Sequence, residues 1–161
     1  MSSEPVFWID ARDKPGLLLA MMRQFQDQSN ISFEGSLGQL TCFSWPAASY
    51  EENQVLKRQT TSPELDFVVI PLTEQSVKDI WKELCEKDHL AHEGIIHVQI
   101  ENNGRLVFGG YDNFHRECTV AYPGVPLELL EKLKEQGIIR EYEYGKVANA
   151  SLSMPKRLPA S

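Results

Sequence analysis

The chain has 161 residues, 42% of them hydrophobic and 24% charged, with a formal net charge of −7. That length predicts one domain, able to bury roughly 70% of its unfolded surface without a disulfide or metal staple. An acidic balance disfavours nucleic acid and anionic membranes as partners, because both recruit basic patches. It suits a protein partner of basic charge.

Met1-Ser2-Ser3-Glu4-Pro5 lacks the basic start and apolar core of a signal peptide. No run approaches the ~20 apolar residues that span a bilayer. Cys42, Cys85 and Cys118 are odd in number and widely spaced, which is not a disulfide framework. Reduced thiols in a cytoplasmic protein are the expectation.

In chain order, Val6 to Ile9 reads as a first, central strand. Asp13 is placed to cap the helix that follows, with Pro15 in its first turn. Leu17, Leu18, Met21, Met22 and Phe25 share one helical face, and Ser29-Asn30 ends the helix. Ile31 to Gly35 alternates as a strand, with Leu40 to Trp45 as its expected partner across Gly38. From Pro46 to Pro63 the chain turns polar, and so long a structureless loop is either functional or a mobile insertion.

Asp66 to Pro71 reads as a buried strand. Thr73 then caps a helix in which Val77, Ile80, Trp81, Leu84 and Cys85 share a face. Between Ile95 and Glu101, Ile96, Val98 and Ile100 alternate with His97, Gln99 and Glu101. Asn102-Asn103-Gly104 signals a hairpin, because Asn and Gly accept positive φ. Leu106 to Phe108 is the return strand and Cys118 to Tyr122 a further one. Pro126 introduces a third helix, packed through Leu129, Leu130 and Leu133 and stopped at Gly137. Ile138 to Tyr144 makes the last strand.

The order β-α-β-β-β-α, then β-β-β-α-β, predicts an α+β protein, a mainly antiparallel sheet with about three helices on one face. Residues 1–145 form the expected single domain, with 5–101 and 102–145 as alternative sub-lobes. Residues 146–161 are the expected weakly ordered tail.

Chemistry is sparse. Cys85 and His89, four apart on a helix, with His92, His115 and Cys118, have spacings that zinc can use. A small apolar-face Cys explains Cys85 as well, and no metal site or cofactor is expected. Asp112, His115 and Cys118 could serve as orienter, base and nucleophile, although Cys118 fits core packing equally. Gly35-x-x-Gly38 and Gly109-Gly110 lack the context of a phosphate loop. Glu83 with Lys87 and Glu128 with Lys132 are helix-stabilising pairs. No catalytic residue is therefore assigned. The 109–118 segment is the densest polar and aromatic cluster, between two strands where binding surfaces are often placed.

Two resemblances follow from these residues. Val6 to Gly35, with Asp13-Lys14-Pro15-Gly16-Leu17-Leu18 and Asn30-Ile31, resembles the opening of an ACT-type regulatory domain. That implies a ferredoxin-like N-terminal portion to Ile100, and an amino-acid or metabolite pocket at Asp13, Lys14, Pro15 and Gly16. The whole chain also resembles the small acidic immunity proteins of bacterial polymorphic toxin systems. Tyr111 to Cys118 and the run Leu129 to Tyr142 carry that resemblance. It implies a non-enzymatic inhibitor that binds a cognate toxin domain and blocks its active site. The contact residues expected on this reading are Tyr50, Glu51, Glu52, Tyr111, Asp112, Asn113, Phe114 and His115. The metabolite sensor is the alternative reading, and the oligomeric state is left open.

Overall fold

The computed structural model describes residues 3–38, 40, 44–86 and 94–148. Its elements are β1 (Ser3–Ala11), α1 (Lys14–Phe25), β2 (Ser29–Gly35), β3 (Asp66–Leu72), α2 (Glu74–Ile80), β4 (Ile95–Asn102), β5 (Arg105–Gly110), β6 (Thr119–Ala121), α3 (Leu127–Glu135) and β7 (Ile139–Ala148). Beyond Ile80 the second helix continues with π-helical spacing over Trp81–Glu86. The expected class holds: α+β, with three helices and an antiparallel sheet.

The strands form one sheet in the order β3-β2-β4-β5-β6-β1-β7, and every pairing is antiparallel. It follows that β1 and β2 run the same way, as do β3 with β4 and β6 with β7. Each same-direction pair is joined through one helix. Right-handed connections in all three would put the helices on one face. In agreement, Leu17, Leu18, Met21, Val77, Ile80, Leu130 and Leu133 share one cluster with Ile9, Ile31, Phe33, Val68, Val98 and Phe108 of the sheet.

Local chemistry explains the helix ends. Asp13 Oδ1 accepts from the Gly16 amide at 3.0 Å, capping α1. Thr73 and Ser76 cap α2 reciprocally. After α3, Gly137 adopts φ 75°, donating to Lys134 O at 3.0 Å while Ile138 donates to Leu133 O at 2.9 Å. That double bond pattern is the Schellman stop. The hairpin between β4 and β5 turns through Asn103 and Gly104, with φ 52° and 80°.

Several expectations are corrected. The first helix ends at Phe25, and Asp27 and Gln28 reverse the chain at φ 70° and 60°, so Ser29-Asn30 belongs to β2. β2 is flanked by β3 and β4, which leaves no place beside it for a strand from Leu40 to Trp45. Of that segment, Thr41–Phe43 lie outside the described residues. The element order β1-α1-β2-β3-α2-β4 is that of a ferredoxin-like unit, but the strands are ordered differently. β1 pairs with β6 and β7, not with β3 or β4. The reason is that β1 is apolar on both sides and takes two later strands as neighbours. The same pairing joins the expected sub-lobes into one sheet. Lys146 to Ala148, expected in the tail, complete β7; residues 149–161 lie outside the described part.

Leu18 is fully buried between α1 and the sheet, whereas Leu127 at the start of α3 is 42% exposed. Urea titration should therefore show a loss of about 2–5 kcal/mol for Leu18→Ala. Leu127→Ala should stay within about 0.5 kcal/mol of the parent.

Candidate functional site

The helices cover only one face of the sheet. On the other, β2 and β4 present Glu34, His97 and Gln99, which are 1%, 4% and 2% exposed. A buried polar group without a partner is costly, so each must be answered. The polar 46–63 segment supplies most of the answers. Glu34 accepts the Gln59 and Thr60 amides at 2.8 and 3.0 Å. The Gln99 amide donates to Lys57 O at 2.8 Å, and Thr60 Oγ1 lies 2.9 Å from His97 Nε2. Leu56, fully buried, packs with Phe67 and Val69. Arg58 donates to Leu65 O, pairs with Glu64 at 3.6 Å and lies 5.0 Å over the Phe67 ring.

The segment expected as an exposed loop is thus a strap laid across the second face. The polar residues of β4, which alternate with its apolar ones, are the floor beneath it.

The 111–118 segment meets the strap at His97. His97 Nδ1 accepts the Asp112 amide at 3.2 Å. With that nitrogen accepting, the ring is the Nε2–H tautomer and donates to Thr60. Burial lowers the His97 pKa from 6.5, against opposing contributions from Glu34 and Asp112. Two segments far apart in sequence are therefore joined by one neutral imidazole.

Asp112, Asn113 and Phe114 all adopt left-handed backbone, at φ 50°, 55° and 60°. Left-handed geometry costs about 1–2 kcal/mol per non-glycine residue, and three in succession are rare. The turn is held by its surroundings. His115 N donates to Tyr111 O at 3.1 Å, Asn113 N to Ile96 O at 2.7 Å and Lys14 Nζ to Asn113 O at 2.8 Å. Phe114 is buried over Gly110, where a Cβ would come within 2.7 Å of its ring. Tyr111 lies over Gly109 in the same way, at 2.3 Å, and its hydroxyl donates to Gln99 Oε1 at 3.2 Å.

The expected contact residues therefore divide. Tyr50, Glu51, Glu52, Asp112 and His115 are exposed, and Asn113 is half-buried. Tyr111 and Phe114 are corrected from contact residues to core, because the two glycines leave their rings a seat on the sheet. Glu52 also accepts the Arg58 amide at 2.8 Å, so hydrogen bonds lead from Glu52 along the strap to Asp112.

The Asp13–Gly16 turn is occupied structurally. Asp13 is a cap, Lys14 holds the left-handed turn, and only Gly16 lines a groove, about 360 Å³ between α1 and α3. Cys118 is buried and its thiol donates to Tyr111 O at 3.4 Å. Burial pushes the thiol pKa up to about 11, the opposite of nucleophile activation. The Nδ1 of His115 is engaged elsewhere, accepting the Glu117 amide at 3.1 Å. His89 and His92 lie outside the described residues, as do the surroundings of the Cys85 side chain.

Glu34, His97 and Gln99 were not among the expected site residues, and Lys14, expected in a ligand pocket, instead holds the left-handed turn. The one signal for the first three was a polar alternation in strands whose other side is strongly apolar. Comparison with protein-family models, curated proteins and solved structures gave no match to the chain.

Because the folded state holds His97 neutral, the unfolded chain takes up its proton at higher pH. This contribution is complete above pH 6.5 and is lost as pH falls below it. Denaturation midpoints should decline over that range in the parent and decline less in His97→Gln; equal slopes would contradict the assignment. Cys118 should react with a thiol probe only slowly at neutral pH and rapidly once the chain is unfolded, as read by mass spectrometry of the labelled peptide.

Proposed function

We propose that the protein is a cytoplasmic, non-enzymatic inhibitor of the immunity type, which binds a basic toxin domain and covers its active site. The observation that carries this reading is the strained turn at Asp112–Phe114. Strain in a backbone fixed from several sides accompanies functional sites more than ordinary loops. Here it presents Asp112, His115, Arg116 and Glu117 to solvent on a support that cannot easily relax. A surface already ordered before contact loses little entropy on binding.

The chemistry of the groups around it favours binding over catalysis. Both His97 nitrogens hold backbone or strap groups, and the Cys118 thiol is buried. The exposed groups along the strap and turn include Glu51, Glu52, Asp112 and Glu117, which would steer a basic partner into place. Tyr50, 47% exposed at the head of the strap, is the aromatic group available for a partner's pocket.

Co-expression with a toxin encoded beside its gene should protect the cell, and the two proteins should co-purify. Absence of both protection and binding would refute the proposal. Asp112→Lys with Glu51→Lys should slow association at least tenfold at low salt and lose much of that effect at high salt. The double variant should keep the parent's unfolding midpoint, since both side chains are exposed.

A further inference from the structure

The two edges of the sheet are treated differently. On the β3 edge, Ser49 exchanges two backbone hydrogen bonds with Val69, at 2.9 and 2.7 Å, and Pro71 removes a donor. Among the described residues the β7 edge has neither device. β7 is ten residues long, pairs with β1 from Ile139 to Ala148 except at a bulge on Arg140, and has no second strand partner among the described residues. A long unpaired edge is a template for another strand.

We propose that β7 pairs antiparallel with β7 of a second copy, about a two-fold axis at Tyr144, joining the two sheets into one. Charge selects this register. In a continuous sheet, directly opposed residues lie on the same face, so the axis passes through a residue pair of like position. Centring on Glu143 would oppose Glu143 to itself and Arg140 to Lys146. Centring on Tyr142 would oppose Glu141 to Glu143 twice. Centring on Tyr144 opposes Tyr144 to itself, Tyr142 to Lys146, Glu143 to Gly145, Glu141 to Val147 and Arg140 to Ala148. No like charges meet, and the seven residues 141–147 of each strand take part clear of the bulge at Arg140. A shift to Gly145 is also free of repulsion but opposes Tyr144 to Lys146, which separates the two exposed tyrosines.

One feature of the surface fits the same register. Tyr144 is 61% exposed, and its ring stands edge-on to Phe7 at 6.0 Å, beside Tyr142 at 5.8 Å from Phe7. Aromatic groups of this kind supply contact area at low entropic cost. On the opposite face, the Trp8 indole lies across Gly145: Nε1 is 2.5 Å from where a Cβ would stand. Trp8, 3% exposed, fills the space that a side chain at Gly145 would take.

This edge is separated from β4 and the strap by β5, β6 and β1, while Arg116 and Glu117 at the end of the turn line a pocket with Glu141 and Glu143 of β7. Light scattering on the purified full chain at high micromolar concentration should give the mass of two copies. Tyr144→Lys should give one copy while keeping its thermal midpoint. Under mild oxidation Tyr144→Cys should form a covalent dimer, and Glu141→Cys, facing Val147, should not. A monomeric parent, a dimeric Tyr144→Lys, or cross-linking at 141 in preference to 144 would each overturn the proposal.

Discussion

Strand β4 is buried on both faces, and the rest of the molecule is arranged around that constraint. Its apolar side, Val98 and Ile100, meets the helices, and its other side carries His97, Gln99 and Glu101 into the interior. Neighbouring β2 adds Glu34. A carboxylate and an imidazole enter such a position only with partners that satisfy them. Here those partners are chiefly backbone groups of otherwise irregular chain, which is why residues 57–60 and 112 are fixed without belonging to any strand or helix. The polar strand face organises the segments above it, and they in turn keep water from it.

The left-handed turn is a consequence of the same arrangement. To place the Asp112 amide on His97, Phe114 over Gly110 and the Asn113 carbonyl on Lys14, the chain must reverse its twist for three residues. Asn113 Oδ1 is buried there with no hydrogen-bond partner among the described residues, which adds to the cost. The compensation comes from residues distant in sequence, so the turn is stable only in the finished fold. Lys14 in particular connects the start of α1 to a loop 99 residues later. The Asp-x-Pro-Gly motif thus acts on the candidate surface indirectly, by holding its support in place.

What could be read from the sequence follows from how local each signal is. The caps at Asp13 and Thr73, the stop at Gly137 and the turn at Asn103-Gly104 depend on a few adjacent residues, and they formed as expected. The 46–63 and 109–118 segments were legible as unusual in composition. Their junction was not, because it rests on His97, whose alternation with Ile96 and Val98 looks the same for a solvated strand side as for one covered by a strap. Tyr111 and Phe114 were misplaced for a related reason. Aromatic residues in a polar loop suggest a contact surface, but Gly109 and Gly110 had already cleared the space for their rings. Strand order was the least local property: a β1 apolar on both sides accepts neighbours from anywhere in the chain, and the hydrophobic pattern does not say which.

The sheet also separates its two outward tasks. The strap closes the β3 edge through Ser49 and extends inward to His97, so one segment protects an edge and covers the floor of the candidate site. At the other end β7 carries its own charges, Arg140, Glu141, Glu143 and Lys146, and these restrict which strand can align beside it. Charges on an edge strand ordinarily prevent pairing. On β7 they are spaced so that most self-registers meet repulsion while the alignment centred on Tyr144 avoids it. Edge charge therefore acts as a selector of register as well as a barrier, and Gly145, which costs β-propensity in the isolated strand, is the position that lets the Trp8 indole lie against β7.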